Sequence, residues 1–202
     1  MIKFNAKDMF NTRKLVHTAL FISLGIILPM AFHAVPNAGG IFLPMHIPVL
    51  LCGILCGFPL GLICGGLTPV LSSLLTGMPP AAMLPSMVFE LAAYGTVTSL
   101  LMRVVRIKNF YVKIYIVLIS AMLCGRAVYG VLNALIFAAG DYSLSIWLTA
   151  AFITSWPGIL IQIILIPAVL IAFQKARLFN FDNKKVKAQN EAGVGGDVEV
   201  KT

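Results

Sequence analysis

The chain has 202 residues, of which 59% are hydrophobic and only 11% charged, with a formal charge of +8. A soluble domain carries about 25% charged residues, so there are too few polar groups here to cover a water-soluble globule, and lipid must be the outer solvent. A nucleic-acid-binding role accounts poorly for the basic excess, because no basic face with interleaved aromatics accompanies it.

Apolar stretches at about 15–34, 44–58, 60–77, 81–102, 112–138 and 157–174 predict an all-α, polytopic membrane protein, a six-helix bundle. A basic segment, residues 1–14, precedes the first stretch. That stretch exceeds the apolar core of roughly 7–15 residues found in signal peptides, and five more follow, so it reads as a retained span. The second and third spans are short and broken by Pro48, Pro59 and Pro69, which predicts bent or tilted helices. The GFPLG turn between them is too short for a domain and predicts a tight helical hairpin. Gly53, Gly57, Gly61 and Gly65 recur every fourth residue across it, a spacing that lets helix backbones approach closely in lipid. Ala19 and Ser23 in the first span, and Ala121/Gly125 and Gly130/Ala134/Ala138 in the fifth, repeat the pattern. The segment 141–155, with Trp147, reads as an interfacial loop or short helix, and Pro157 suits the first helical position of the last span. Residues 15–175 form the membrane domain, and 176–202 a basic, then disordered, tail.

Charge placement sets the orientation. Lys3, Lys7, Arg13 and Lys14 precede the first span, Arg103, Arg106, Lys108 and Lys113 lie between the fourth and fifth, and six more Lys or Arg follow the last. Six spans put all of these on one side, while the opposite loops hold only Asp141, so both termini are expected in the cytoplasm.

Two ionisable residues lie inside the membrane, Glu90 in the fourth span and Arg126 in the fifth. Both fall roughly 15–20 Å from the cytoplasmic face at 1.5 Å per residue. Each costs about 2.5–3.5 kcal/mol to insert, so each must face the bundle interior and find a partner. That partner is either the other residue of the pair or a polar ligand. On the fifth span Arg126, Tyr129, Gly130 and Asn133 share one face, and on the fourth Met83, Ser86, Met87, Glu90 and Tyr94 do. Asn133, Gln162, His33 and His46 fall in the outer half. A polar stripe of this depth, opening outward, suits a small-molecule site better than a continuous channel. The candidate binding residues are therefore Arg126, Asn133, Gln162, Glu90, Tyr129, Met87, His33 and His46. A histidine facing the interface is the commoner outcome for such scattered imidazoles. No metal is expected, since the four cysteines lie in apolar runs without CxxC or Cys/His spacing and read as packing residues. No enzyme is expected either, since HExxH, GxSxG, paired carboxylates and a phosphate-binding loop are all missing from the sequence.

The blocks FLPMHIPVLLCGILCG, GGLTPVLSSLLTGMPPAAMLPSMVFELAAYG, AMLCGRAVYG and WPGILIQIILIP occur in order at membrane-protein spacing. Over about residues 12–175 the chain resembles the substrate-binding S component of energy-coupling factor (ECF) vitamin transporters. The resemblance implies a subunit of the bacterial cell membrane that takes a vitamin or related micronutrient from outside, beneath the first outer loop. It also implies docking on a transmembrane T component driven by two ATP-binding cassette ATPases, with no cofactor on this chain and ATP used only by the partners. Ala19 and Ser23 match the family's docking pair on the first helix, with Ser in place of the usual second Ala. Nickel and cobalt members begin Met-His, whereas this chain begins Met1-Ile2. Arg126 favours a carboxylate or phosphate ligand, pantothenate-like, unless Glu90 neutralises it. Pyrimidine, folate-like, cobalamin-like and queuosine-precursor ligands stay open. The alternatives are a self-sufficient small permease or channel, and a membrane scaffold without a ligand.

Overall fold

A computed structural model describes residues 10–31, 38–107, 109–137 and 143–176. All regular elements among the described residues are helical: α1 (Thr12–Ala31), α2 (Ala38–Phe42), α3 (His46–Cys56), α4 (Leu60–Thr76), α5 (Leu84–Val104), α6 (Phe110–Leu132), α7 (Leu144–Leu148) and α8 (Trp156–Lys175). A π-helical turn, Asn133–Phe137, extends α6, and another, Thr149–Thr154, follows α7. Five stretches are long and apolar enough to cross a membrane: α1, Gly39–Cys56, α5, Phe110–Leu135 and α8. The sixth expected span is α4, with 17 residues. At 1.5 Å per residue it covers about 26 Å, a little less than the hydrocarbon thickness of about 30 Å. The chain is an all-α, multi-pass membrane protein.

Local chemistry sets the helix ends. Asn109 caps α6, its side-chain oxygen accepting from the main-chain N–H groups of Tyr111 and Val112. Pro85 sits in the first turn of α5, where a missing N–H costs nothing. Gly77 ends α4 with φ at 72°, a left-handed conformation that a side chain would resist, and its N–H donates to the Ser73 carbonyl.

The glycine row has a wider role than closing a hairpin. Gly61 does lie against Gly53, but the row's tightest contacts are with α5: a Cβ on Gly65 would stand 2.2 Å from the Leu91 carbonyl oxygen, and one on Gly61 2.5 Å from that of Gly95. Gly53 faces Thr98, and Ser99 Oγ donates to the Gly53 carbonyl at 3.1 Å. Helices α3 and α4 therefore form one trough in which α5 lies, and α5 in turn packs against α6. This buries the polar side of α5 at the centre of the bundle.

The chain divides into two compact units, Met1–Pro167 and Ala168–Thr202. The described part of the second is the end of α8, extended by one bond from the Ala176 N–H to the Ala172 carbonyl. The expected cytoplasmic segment 1–14 falls mostly, and the tail 176–202 almost wholly, outside the described residues, as do Lys108 and Asp141.

Candidate functional site

On α5, Ser86, Glu90 and Tyr94 recur every fourth residue and all three are buried. Glu90 is 2% exposed, and Arg126, facing it from α6, is 7% exposed. Arg126 Nη1 lies 3.2 Å from Glu90 Oε1, an ion pair not aligned as a hydrogen bond. His46, the first residue of α3, brings Nε2 to 3.6 Å from the same oxygen and sets its ring edge-on to Tyr94, with centroids 5.1 Å apart. Tyr94 can lie against α6 because residue 125 is glycine, where a Cβ would sit 2.9 Å from its ring. The histidine reaches the centre through the turn before α3. Leu43 takes φ of 50°, unusual for a branched side chain, and its carbonyl accepts from the His46 N–H at 3.1 Å. His46 is thus buried at 1% exposure, which corrects the expectation of a histidine at the interface.

Gln162, on α8, is a further buried polar residue and has no exposed surface. Gly158, one turn earlier on the same face of α8, fits against α2, where a Cβ would stand 2.7 Å from the Ile41 carbonyl. Ile159 and Ile163, on either side of Gln162 in sequence, line a cavity of about 120 Å³ together with Arg126, Met122 and Phe152.

These groups are short of partners. Among the described residues, both ring nitrogens of His46, Glu90 Oε1, Arg126 Nη2 and both amide atoms of Gln162 are buried without a hydrogen bond. A buried polar atom left unsatisfied costs about 1–3 kcal/mol, so the four around Glu90 mark a place where a polar guest or ordered water completes the bonding.

The other expected residues differ in what they have left to offer. Asn133 Oδ1 accepts from Ser86 Oγ at 3.0 Å and its Nδ2 donates to the Tyr129 carbonyl at 2.8 Å, so it also ties α5 to α6. Tyr129 and Met87 are half-buried. Met83, expected on the inner face of α5, is 57% exposed, since it precedes the helix and escapes its periodicity. His33 lies outside the described residues.

One contact had no clear sequence signal. Trp147 Nε1 donates to the Arg126 main-chain carbonyl at 3.0 Å, and its ring meets Phe152 edge-on. It fits because residue 130 is glycine: a Cβ there would lie 2.3 Å from the indole nitrogen. Gly130 could be read only as a packing residue, because nothing in the sequence couples it to position 147.

On α1, Thr18, Phe21 and Gly25 are buried, while Ala19 and Ser23 lie on the opposite, exposed side with Val16, Leu20 and Ile27. The Ser23 hydroxyl is satisfied within the helix, donating to the Ala19 carbonyl at 3.0 Å. This side is therefore smooth and apolar, and the described residues leave it uncovered. Cys52, Cys56 and Cys64 are buried free thiols, and no group of three metal-ligating side chains forms among the described residues.

Residues 13–170 match the family model described as ECF transporter, substrate-specific component. No curated protein matches the chain.

Proposed function

Because the chain belongs to the family of ECF transporter substrate-specific components, we propose that it captures a vitamin or related micronutrient from outside a bacterial plasma membrane. It then delivers this ligand by docking on a T component powered by two ATP-binding cassette ATPases. The observation that supports this reading is the four buried polar atoms of Glu90, Arg126 and His46 that lack hydrogen bonds, with two more on Gln162. A scaffold without a ligand would have to recover their cost through ordered water alone.

In this proposal Arg126 and Gln162 contact the ligand directly, Glu90 orients Arg126, and His46 closes the inner wall. Asn133, Tyr129 and Met87 line the approach from outside, with His33 at the first outer loop. Ala19 and Ser23 form the docking face, since small side chains let a partner helix come close. This chain needs no cofactor, and ATP is hydrolysed only by the partner subunits. The termini and the basic loops face the cytoplasm, as the charge distribution favours.

Purification of the tagged chain from its native membrane, followed by mass spectrometry, tests the proposal. A T component, two ATPases and a bound small molecule are expected. A chain that purifies alone and reconstitutes uptake alone is a self-sufficient permease.

A further inference from the structure

Resting on the reading of the Glu90, Arg126 and His46 cluster as the binding site, we propose that Trp147 is its outer gate. The indole closes the cluster while it lies in the notch at Gly130, and a small molecule enters or leaves only when the segment 143–150 lifts the ring out.

The first argument is closure. Glu90, Arg126 and His46 are all buried, so a ligand reaches them only after some part of the molecule moves. Arg126 and Gly130 stand one turn apart on the same face of α6. A side chain on a helix covers the turn N-terminal to its own Cα. The place that a side chain at position 130 would fill therefore lies directly above Arg126, on the outer side in the orientation that the charge distribution favours. The indole of Trp147 occupies that place, since a Cβ on Gly130 would overlap its nitrogen. Its Nε1 donates to the Arg126 main-chain carbonyl at 3.0 Å, which holds the ring against the turn that bears the guanidinium.

The second argument is freedom to move. Among residues 143–150 only Trp147 is not exposed, so the indole is the hold of this segment on α6. Further along, Ala151 and Ser155 are buried, and Ser155 Oγ donates to the Ala150 carbonyl at 2.6 Å. The segment is thus fixed at one end and exposed before it, with the π-helical turn Thr149–Thr154 at the junction, a geometry that recurs where helices must yield. Releasing the indole leaves no carbonyl stranded on α6, because the Arg126 oxygen keeps its helical bond from the N–H four residues on. A cleft of about 320 Å³ lies beside the ring, between Ala127 and Val131 of α6 and Leu144 of α7, and gives it room to swing. A lid of this kind sets the rate of exchange as well as the strength of binding.

The test tethers the segment to α6. Val131→Cys and Leu144→Cys are exposed positions that line the same cleft, and they are introduced with Cys124→Ala, because Cys124 is the exposed native thiol while Cys52, Cys56 and Cys64 are buried. The full-length variant is incubated with a metabolite extract of the source cells and then joined by a bis-maleimide with a reducible disulfide at its centre. Free molecules are removed, and mass spectrometry follows the small molecule that stays with the chain during dialysis. Release from the tethered chain is expected to be at least about tenfold slower than from the untethered one, and cleaving the tether should restore the faster rate. Equal or faster release from the tethered chain overturns the gate while leaving the binding site in place. Slow release that cleavage does not reverse also overturns it, since the slowing then comes from the attached reagent and not from the tether. If neither form retains a small molecule once free molecules are removed, the binding reading itself fails, and the gate with it.

Discussion

The indole nitrogen of Trp147 donates to the main-chain carbonyl of Arg126 at 3.0 Å, in a notch that only a glycine at position 130 leaves open. The segment joining the last two spans is thereby fastened to the residue whose guanidinium pairs with Glu90. π-helical turns on both sides, Asn133–Phe137 and Thr149–Thr154, carry the irregularity that lets the chain turn back onto α6.

The first prediction follows from that contact. Gly130→Ala places a methyl group on the indole and must displace it, while Trp147→Phe keeps most of the ring but loses the donor. A single neutral hydrogen bond contributes about 0.5–1.5 kcal/mol, so Trp147→Phe should weaken binding of the co-purifying metabolite roughly threefold to tenfold. Gly130→Ala should do at least as much. Calorimetric titration of both variants checks this. Unchanged affinity with a lowered melting temperature makes Trp147 a packing residue only.

The second concerns the ion pair. Glu90→Gln leaves Arg126 buried with no carboxylate, a change that costs about 3–5 kcal/mol. The variant should melt well below the wild type in detergent. Arg126→Met in the Glu90→Gln background removes both charges and should recover much of that loss. On the proposed function it should still fail to bind the metabolite, because the proposed guanidinium contact is gone. A folded double variant with wild-type affinity would make the pair a strut and move the site elsewhere.

Much of this was legible in the sequence, and the limits are physical. Apolar run length gave the six helices within a few residues, because bilayer thickness fixes span length. Similar depth and insertion cost marked Glu90 and Arg126 as needing partners, each other or a polar ligand, and the structure sets them 3.2 Å apart. The place of His46 could not be read, because a left-handed Leu43 turns it inward and nothing local demands φ of 50° at a leucine. Helical periodicity assigned faces to α5 and α6 but could not say which helix the glycine row of α3 and α4 receives. Trp147 and Gly130 escaped for the same reason, since their fit exists only between distant segments.

The third prediction tests the orientation. In a cysteine-free background, Met78→Cys lies beyond the end of α4 and Arg106→Cys lies between α5 and α6. An impermeant maleimide added to intact cells should label the first and spare the second until the membrane is opened. The reverse pattern would invert the bundle and put the polar cluster's approach on the cytoplasmic side.

The last prediction separates docking from binding. Ala19 and Ser23 are exposed on α1, one turn apart, while Thr18, Phe21 and Gly25 hold the opposite face of the helix inside the bundle. Gly25 is pressed against Thr68, where a Cβ would stand 2.4 Å from the Thr68 methyl, so α1 cannot rotate to hide larger side chains at 19 and 23. Ala19→Trp with Ser23→Trp therefore adds bulk only where a partner helix would approach, and close packing is the main attraction available between helices in lipid. The double variant should keep its melting temperature within a few degrees and its affinity for the co-purifying metabolite within about twofold. Uptake by cells, and recovery of the T component and ATPases with the tagged chain, should both fall to background. Gly25→Leu is the control for the inner face: it collides with Thr68 and should lower stability first. Equal loss of binding and uptake in the Ala19→Trp/Ser23→Trp chain would mean that this face supports the fold of the subunit, and the partner would have to be sought on another helix.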